Sequence, residues 1–337
     1  MPLIIAFWLR VFNGVEYLDV IVPLVIVNGF LLGSLSVVVL ASLALRLTGR
    51  RDVALASAAV WAFLPYILYA IFGLHRDADL FRDSYVPFML WANGLSDGPS
   101  MFLFLFGLLV ALTALEEKNG WLMALAGAMF GFAAVIRIHT AAMFAPLFGL
   151  LLLKRDWRRF ALLTVGTFAG YLPQFWYSAG TGSALAIPYI QNWFGSGSIY
   201  GRGWYLNLKN TPFAPQFLLN NTVGLGLRHP EISLPVLVGA FVALFGFIHL
   251  WRRQGWFRAS LLFGTPLFVF LFFALTFVFA EDPFRFTVPA FPLGIVAGAY
   301  TAIVSVEWAQ VRWGWTGAHP AKQHASIIEV RRAPEQR

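Results

Sequence analysis

The sequence predicts an all-α, polytopic membrane protein, and three observations predict it. The first is the recurrence of long apolar runs. The run from Val53 to Leu74 (VALASAAVWAFLPYILYAIFGL) contains no charged residue. About 20 such residues, at a rise of about 1.5 Å each, cross a hydrocarbon core of about 30 Å. The second is composition. The 337-residue chain is 59% hydrophobic and 12% charged, with a mean hydropathy of +0.71. Soluble domains carry about 25% charge. The third is the placement of arginine and lysine, which cluster in the short stretches between runs. In lipid every backbone polar group must be satisfied internally, which selects helices or a closed barrel. A barrel would show alternating segments of about 10 residues, whereas these runs are continuous.

Taken in order, nine transmembrane segments are expected, at about 22–46, 53–74, 99–115, 121–136, 140–153, 160–178, 232–250, 259–280 and 287–306. The first two are divided by GRRD, the third and fourth by EEKNG, the fifth and sixth by KRDWRR, and the seventh and eighth by WRRQGWFR. Each divider is a short basic hairpin with no catalytic pattern. The fourth and fifth segments are short and meet at Val135-Ile136-Arg137-Ile138-His139-Thr140, which contains neither glycine nor proline. Residues 1–310 form the predicted transmembrane helical domain, with a long outer loop at 179–231. Residues 311–337 form a cytoplasmic tail.

Charge fixes the expected sides. Sixteen basic residues fall on one side of this arrangement and seven on the other, with Arg137 between two segments. The positive-inside bias makes the richer side cytoplasmic. The formal charge of +8 is thereby read as topology, and no nucleic-acid partner is expected. There is no cysteine, which excludes disulfides and thiolate metal sites. Nine segments with a cytoplasmic tail place the N-terminus outside. Either a first helix precedes Met1, or residues 1–21 lie in the interface as an amphipathic helix.

Candidate chemistry then falls on the outer side. The loop from His75 to Gly98 holds Asp77 and Asp79 as a D-x-D pair, with Arg76, Arg82, Asp83 and Asp97. Carboxylates two residues apart grip a divalent cation if the backbone turns between them. The alternative is a solvated loop of internally paired charges. Asp97, in Ser96-Asp97-Gly98-Pro99, precedes an apolar run and equally suits a helix cap. Arg137 reads as a phosphate clamp, through its planar donor fork, or as an arginine snorkelling to the interface. His139 stands beside it. Arg285, in Glu281-Asp282-Pro283-Phe284-Arg285-Phe286, meets the headgroup zone or is neutralised by its acidic neighbours. Trp204 and Tyr205, in NWFGSGSIYGRGWY, offer flat faces for a sugar or belong to an aromatic interface belt.

Four stretches, in order, resemble the GT-C superfamily of membrane glycosyltransferases, particularly its protein-mannosyltransferase and aminoarabinose-transferase branch. Met1-Pro2-Leu3, with the apolar stretch to Asn13-Gly14, looks like the end of that family's first outer loop. Leu95-Ser96-Asp97-Gly98-Pro99 looks like its acidic helix start. The stretch from Gly127 through Arg137 to Pro146 is similar to its arginine-bearing helix pair. DPFRFTVPAFP, from Asp282 to Pro292, looks like its arginine–aromatic–proline motif. The resemblance implies an inverting glycosyltransferase on the non-cytoplasmic face, fed by a polyprenyl-phosphate-linked sugar. It implies Arg137 and Arg285 on the leaving phosphate and Asp97 at an acidic position near the metal or acceptor. From the reading of the residues themselves, His139, Trp204 and Tyr205 join the substrate-binding set, and Asp77 and Asp79 join Asp97 as candidate catalytic carboxylates and ligands of a divalent metal ion. Membrane lipids are further partners, and the bacterial inner (plasma) membrane is the expected location. One departure stands out. The family's principal catalytic carboxylate lies in its first outer loop, and this chain begins beyond that point, leaving Glu16 and Asp19 as poor substitutes. A transporter or flippase of lipid-linked substrates, or a non-catalytic subunit of GT-C type, are the competing expectations.

Overall fold

The computed structural model describes residues 9–15, 17–72, 97–180, 218–224, 227, 230–275 and 290–313. Every regular element among them is helical. The principal helices are α1 (Ile21–Thr48), α2 (Arg51–Phe72), α3 (Asp97–Glu116), α4 (Gly120–Ile136), α5 (Ala141–Leu153), α6 (Trp157–Gly180), α7 (Pro230–Gln254), α8 (Trp256–Ala274) and α9 (Phe291–Trp313). Each overlaps one of the nine expected segments. Four of them, α1, α3 (from Gly98), α8 and α9, are long and apolar enough to cross a membrane. The apolar side chains also face outward, with Trp176 85% and Phe241 79% exposed. A soluble protein would hide such rings; a bilayer accommodates them, and together these features point to a membrane protein. Residues 181–217, within the expected outer loop, and the tail from 314 lie outside the described residues, and α9 runs on to Trp313.

The core is a helix-on-helix packing without charge. Leu40, Leu43, Ala44 and Leu47 of α1 meet Phe104, Leu105 and Leu108 of α3 and Leu293, Val296 and Tyr300 of α9. α1 is central, packing against α2, α3, α7, α8 and α9, while α3 links it to α4 and α5. Buried hydroxyls cause little disturbance, because most donate to their own helix. Thr48, Ser57, Thr265 and Thr301 each donate to the carbonyl four residues back. The Trp61 Nε1–H donates to Ser36 Oγ at 2.9 Å, tying α2 to α1.

The closest helix pair is α4 with α6. A Cβ placed on Gly127 would lie 2.2 Å from the Leu163 carbonyl oxygen, and one on Gly131 2.0 Å from that of Thr167. From the other side, a Cβ on Gly166 or Gly170 would lie 2.0 Å from the carbonyls of Ala124 or Ala128. The partners advance together along both helices, so the two run parallel. This is a double small-xxx-small seam, in which absent side chains let two backbones touch. In lipid, where apolar burial gives no advantage between helices, such packing supplies the attraction.

One end of the bundle collects the basic hairpins. Gly49 (φ 71°), Lys118 (φ 54°), Arg155 (φ 55°) and Gly255 (φ 86°) reverse the chain there in left-handed conformations. Gly255, with ψ 160°, occupies backbone space open essentially to glycine alone. Ion pairs join the hairpins. Glu116 receives both Arg46 and Arg258, the latter at 3.0 Å. Arg50 donates to Asp52 at 3.0 Å and to Glu307 at 2.8 Å, linking the α1/α2 turn to α9. Lys154 stands 4.2 Å from the centre of the Phe257 ring. Exposed pairs contribute at most about 1 kcal/mol each, and a shared network somewhat more.

Two outcomes are expected. Gly131→Leu should lower stability by at least about 1–3 kcal/mol through overpacking against backbone, read as a fall in the unfolding midpoint in detergent. Gly149→Ala, where nothing lies within 4 Å of the added methyl, should leave that midpoint nearly unchanged. The Arg50 guanidinium, by its hydrogen bond, holds the Asp52 carboxyl below its ordinary value of 3.8. Protonating Asp52 therefore costs more in the folded chain than in the unfolded one. Its contribution is present at neutral pH and is lost as pH falls below that ordinary value. Asp52→Asn should flatten this acid-side loss in a stability–pH titration.

Candidate functional site

The buried polar groups that are not bonded within their own helix gather at the end opposite the basic hairpins. Arg137 marks the place. α4 ends at Ile136, Arg137 adopts an extended conformation (φ −151°, ψ 109°), and a single 3-10 turn, Ile138–Thr140, leads into α5. The Arg137 N–H closes α4 on the Ala133 carbonyl at 2.9 Å, and the Arg137 carbonyl accepts from the Thr140 N–H at 3.0 Å. The sequence lacks glycine and proline here because one extended residue suffices to break the helix. α4 has 17 residues and α5 has 13, or about 25 Å and 20 Å. The break is thereby drawn down toward the bundle interior. Arg137 is only 8% exposed, and Thr140 is buried beside it.

About two turns away along α4 and α5 lies a buried aromatic cluster. Phe104, Phe130 and Phe144 stack in series, with ring centres 5.8 Å and 5.1 Å apart. Phe130 and Phe144 each stand seven residues from Arg137, or about 10 Å along their helices. The buried Arg137 guanidinium keeps its charge, because arginine does not deprotonate in proteins. Such a place suits an anion with several oxygens.

α3 forms a second wall, packing against both the 3-10 turn and α1. Asp97 opens this helix, and Gly98, Pro99 and Ser100 in its first turn are buried. A carboxylate in a first turn is favoured by the helix dipole, so the capping reading and the site reading of Asp97 remain compatible. His139 lies in the 3-10 turn next to Arg137 in sequence. Arg137, His139 and Asp97 are thus brought to one end of the bundle. Asp77, Asp79, Arg285, Trp204 and Tyr205 lie outside the described residues. Among the described residues no three His, Asp or Glu side chains cluster in a way that could hold a metal ion.

Two asparagines were not singled out by sequence reasoning. Asn28 lies in a π-helical stretch of α1, Ile26–Leu32, which packs against α3. It is 2% exposed, and its Nδ2 has no hydrogen-bond partner among the described residues. Such a buried orphan donor costs about 1–3 kcal/mol, and π-turns recur at functional positions. Asn221 lies in a second π-helix, Asn220–Gly224, and donates from Nδ2 to the Ala274 carbonyl at 2.8 Å, at the end of α8. The available signal for Asn28 was an amide interrupting the charge-free run IVNGFLL.

The chain matches no protein-family model, no curated protein and no solved structure.

The two asparagines should behave oppositely. Asn28→Leu removes an unsatisfied donor and should leave stability unchanged or raise it by about 1 kcal/mol. Asn221→Ala removes a satisfied one, strands the Ala274 carbonyl, and should lower stability by about 1–2 kcal/mol. Chemical denaturation in mild detergent distinguishes these outcomes.

Proposed function

We propose that this chain is a multi-pass membrane glycosyltransferase of GT-C type, which takes its sugar from a polyprenyl-phosphate donor. The observation that carries this reading is the buried Arg137 at the helix break, at the end away from the basic hairpins. By the positive-inside bias that basic end is cytoplasmic, which puts the arginine on the non-cytoplasmic side. An ionisable group at such depth is expensive, and function is its usual reason for being there.

The reaction is a displacement at the anomeric carbon. The acceptor oxygen forms a bond to that carbon, the bond to the phosphate oxygen breaks, and the configuration inverts. The acceptor proton passes to a carboxylate, for which Asp97 at the start of α3 is the assigned base. The bonding electrons leave with the lipid phosphate. Arg137 stabilises the charge growing on that phosphate, an interaction stronger in the transition state than in the ground state. Arg285 adds a second cation at the headgroup level, and Trp204 and Tyr205 stack on the sugar. A divalent ion on Asp77, Asp79 and Asp97 would further neutralise the phosphate. Of these three only Asp97 is among the described residues, and one carboxylate does not define a coordination sphere, so the steps above use protein groups.

The test is turnover of a labelled polyprenyl-phosphate sugar by the full chain in proteoliposomes. Arg137→Ala should reduce release of polyprenyl phosphate by about 10²–10³-fold, with Arg137→Lys intermediate. Equal turnover by Arg137→Ala removes the clamp. Movement of the lipid without transfer makes the chain a flippase, and neither activity makes it a non-catalytic subunit.

A further inference from the structure

We infer that the seam between α7 and α9, at the basic end of the bundle, is a binding site for an anionic phospholipid. It is separate from the Arg137 site and does not depend on it. The seam is firmly built. His249 Nδ1 and the Tyr300 hydroxyl are hydrogen-bonded at 2.7 Å between the two helices. Beside them, a Cβ on Gly246 would lie 2.0 Å from Thr301 Oγ1, so the helices nearly touch. Outside this closure the Phe245 and Trp308 rings meet edge to face, with centres 6.2 Å apart, and both remain exposed.

The outer face of α7 is apolar along Phe241, Phe245, Ile248 and Trp251, spaced by three and four residues. That stripe ends abruptly on Arg252 and Arg253. On α9, Arg312 stands one turn beyond Trp308 on the same helix face. All three arginines are exposed and form no salt bridge among the described residues, although Arg253 also feels the charge of Glu307. The described acids at this end are engaged elsewhere. Arg50 holds Asp52 and Glu307, Arg46 and Arg258 hold Glu116, and Arg159 holds Asp156. Glu117 lies in the α3/α4 turn.

The occupant follows from this arrangement. An apolar stripe on α7 that ends on two exposed guanidinium groups, with a third one turn beyond Trp308 on α9, matches acyl chains joined to a phosphodiester. A soluble anion would leave the stripe bare, and a zwitterionic lipid would bring a cation to the arginines. Guanidinium forks bind phosphate oxygens in pairs, and clustered basic residues at a membrane surface select anionic headgroups. Trp308 and Trp251 anchor the glycerol level, as aromatic rings do at bilayer interfaces.

Native mass spectrometry of the full chain, released from nanodiscs of mixed phosphatidylglycerol and phosphatidylcholine, tests this. Phosphatidylglycerol should be retained preferentially. Arg252→Gln/Arg253→Gln/Arg312→Gln together should reduce that retention by on the order of tenfold or more. Lys118→Gln/Arg155→Gln/Arg158→Gln, with the same charge change at other hairpins, should retain it. Equal loss in both variants would reduce the effect to diffuse charge and overturn the site. Displacement by inorganic phosphate would overturn it too, since the stripe would then contribute nothing. If the first variant fails to fold, brominated lipids replace it. Quenching of the Trp308 signal, taken as the difference from Trp308→Phe, should be stronger with brominated phosphatidylglycerol than with brominated phosphatidylcholine. Equal quenching refutes the proposal.

Discussion

Where water is absent, every peptide N–H and C=O must find its partner inside the chain. That constraint governs this molecule. It makes the described residues helical throughout and turns each interruption of a helix into a costly exception. Three exceptions lie at one end: the π-turn of α1 at Ile26–Leu32, the extended Arg137 with its 3-10 turn, and the π-turn at Asn220–Gly224. Each brings a polar side chain with it, Asn28, Arg137 and Asn221. At the other end the breaks are ordinary hairpins, turned by left-handed residues and closed by ion pairs. The bundle therefore has one end closed by ion pairs and another at which polar side chains are buried.

The two ends hold together by different forces. At the basic end, Glu116 and Arg50 each gather more than one partner, so several helices are bound through two nodes. In the middle the forces are steric. Stacked phenylalanines join α3, α4 and α5, and the glycine seam draws α6 against α4. Toward the opposite end one buried amide nitrogen, that of Asn28, is left without a hydrogen-bond partner among the described residues.

The sequence made a good part of this legible. Helix positions followed from apolar runs ended by basic clusters, and the short α4 and α5 emerged as a pair because Arg137 could not sit inside a continuous apolar helix. Arg137 itself was visible as a lone charge between two segments, and it is buried where α4 ends. Asn28 was not visible, because an amide in an apolar helix normally finds a neighbour, and nothing in IVNGFLL announces a π-turn. The motifs GAMFG and GTFAG can be read in the chain, but which helices they join cannot. That depends on α5 leaving and returning between them, a tertiary fact. The acidic loop with Asp77 and Asp79, and Arg285 beyond α8, fall outside the described residues, so their part of the reading rests on sequence alone.

The parallel course of α4 and α6 has a consequence for biosynthesis. Two neighbours in sequence dock antiparallel as soon as both have emerged, but these two are separated by a complete reversal. α4 must wait, its glycine face uncovered, until α5 has turned back and the KRDWRR hairpin has started α6. During that interval its backbone carbonyls at Ala124 and Ala128 have only lipid, or the insertion machinery, for company. The order of synthesis thus leaves the glycine face of α4, the helix that ends at the buried arginine, without its partner until α6 has formed.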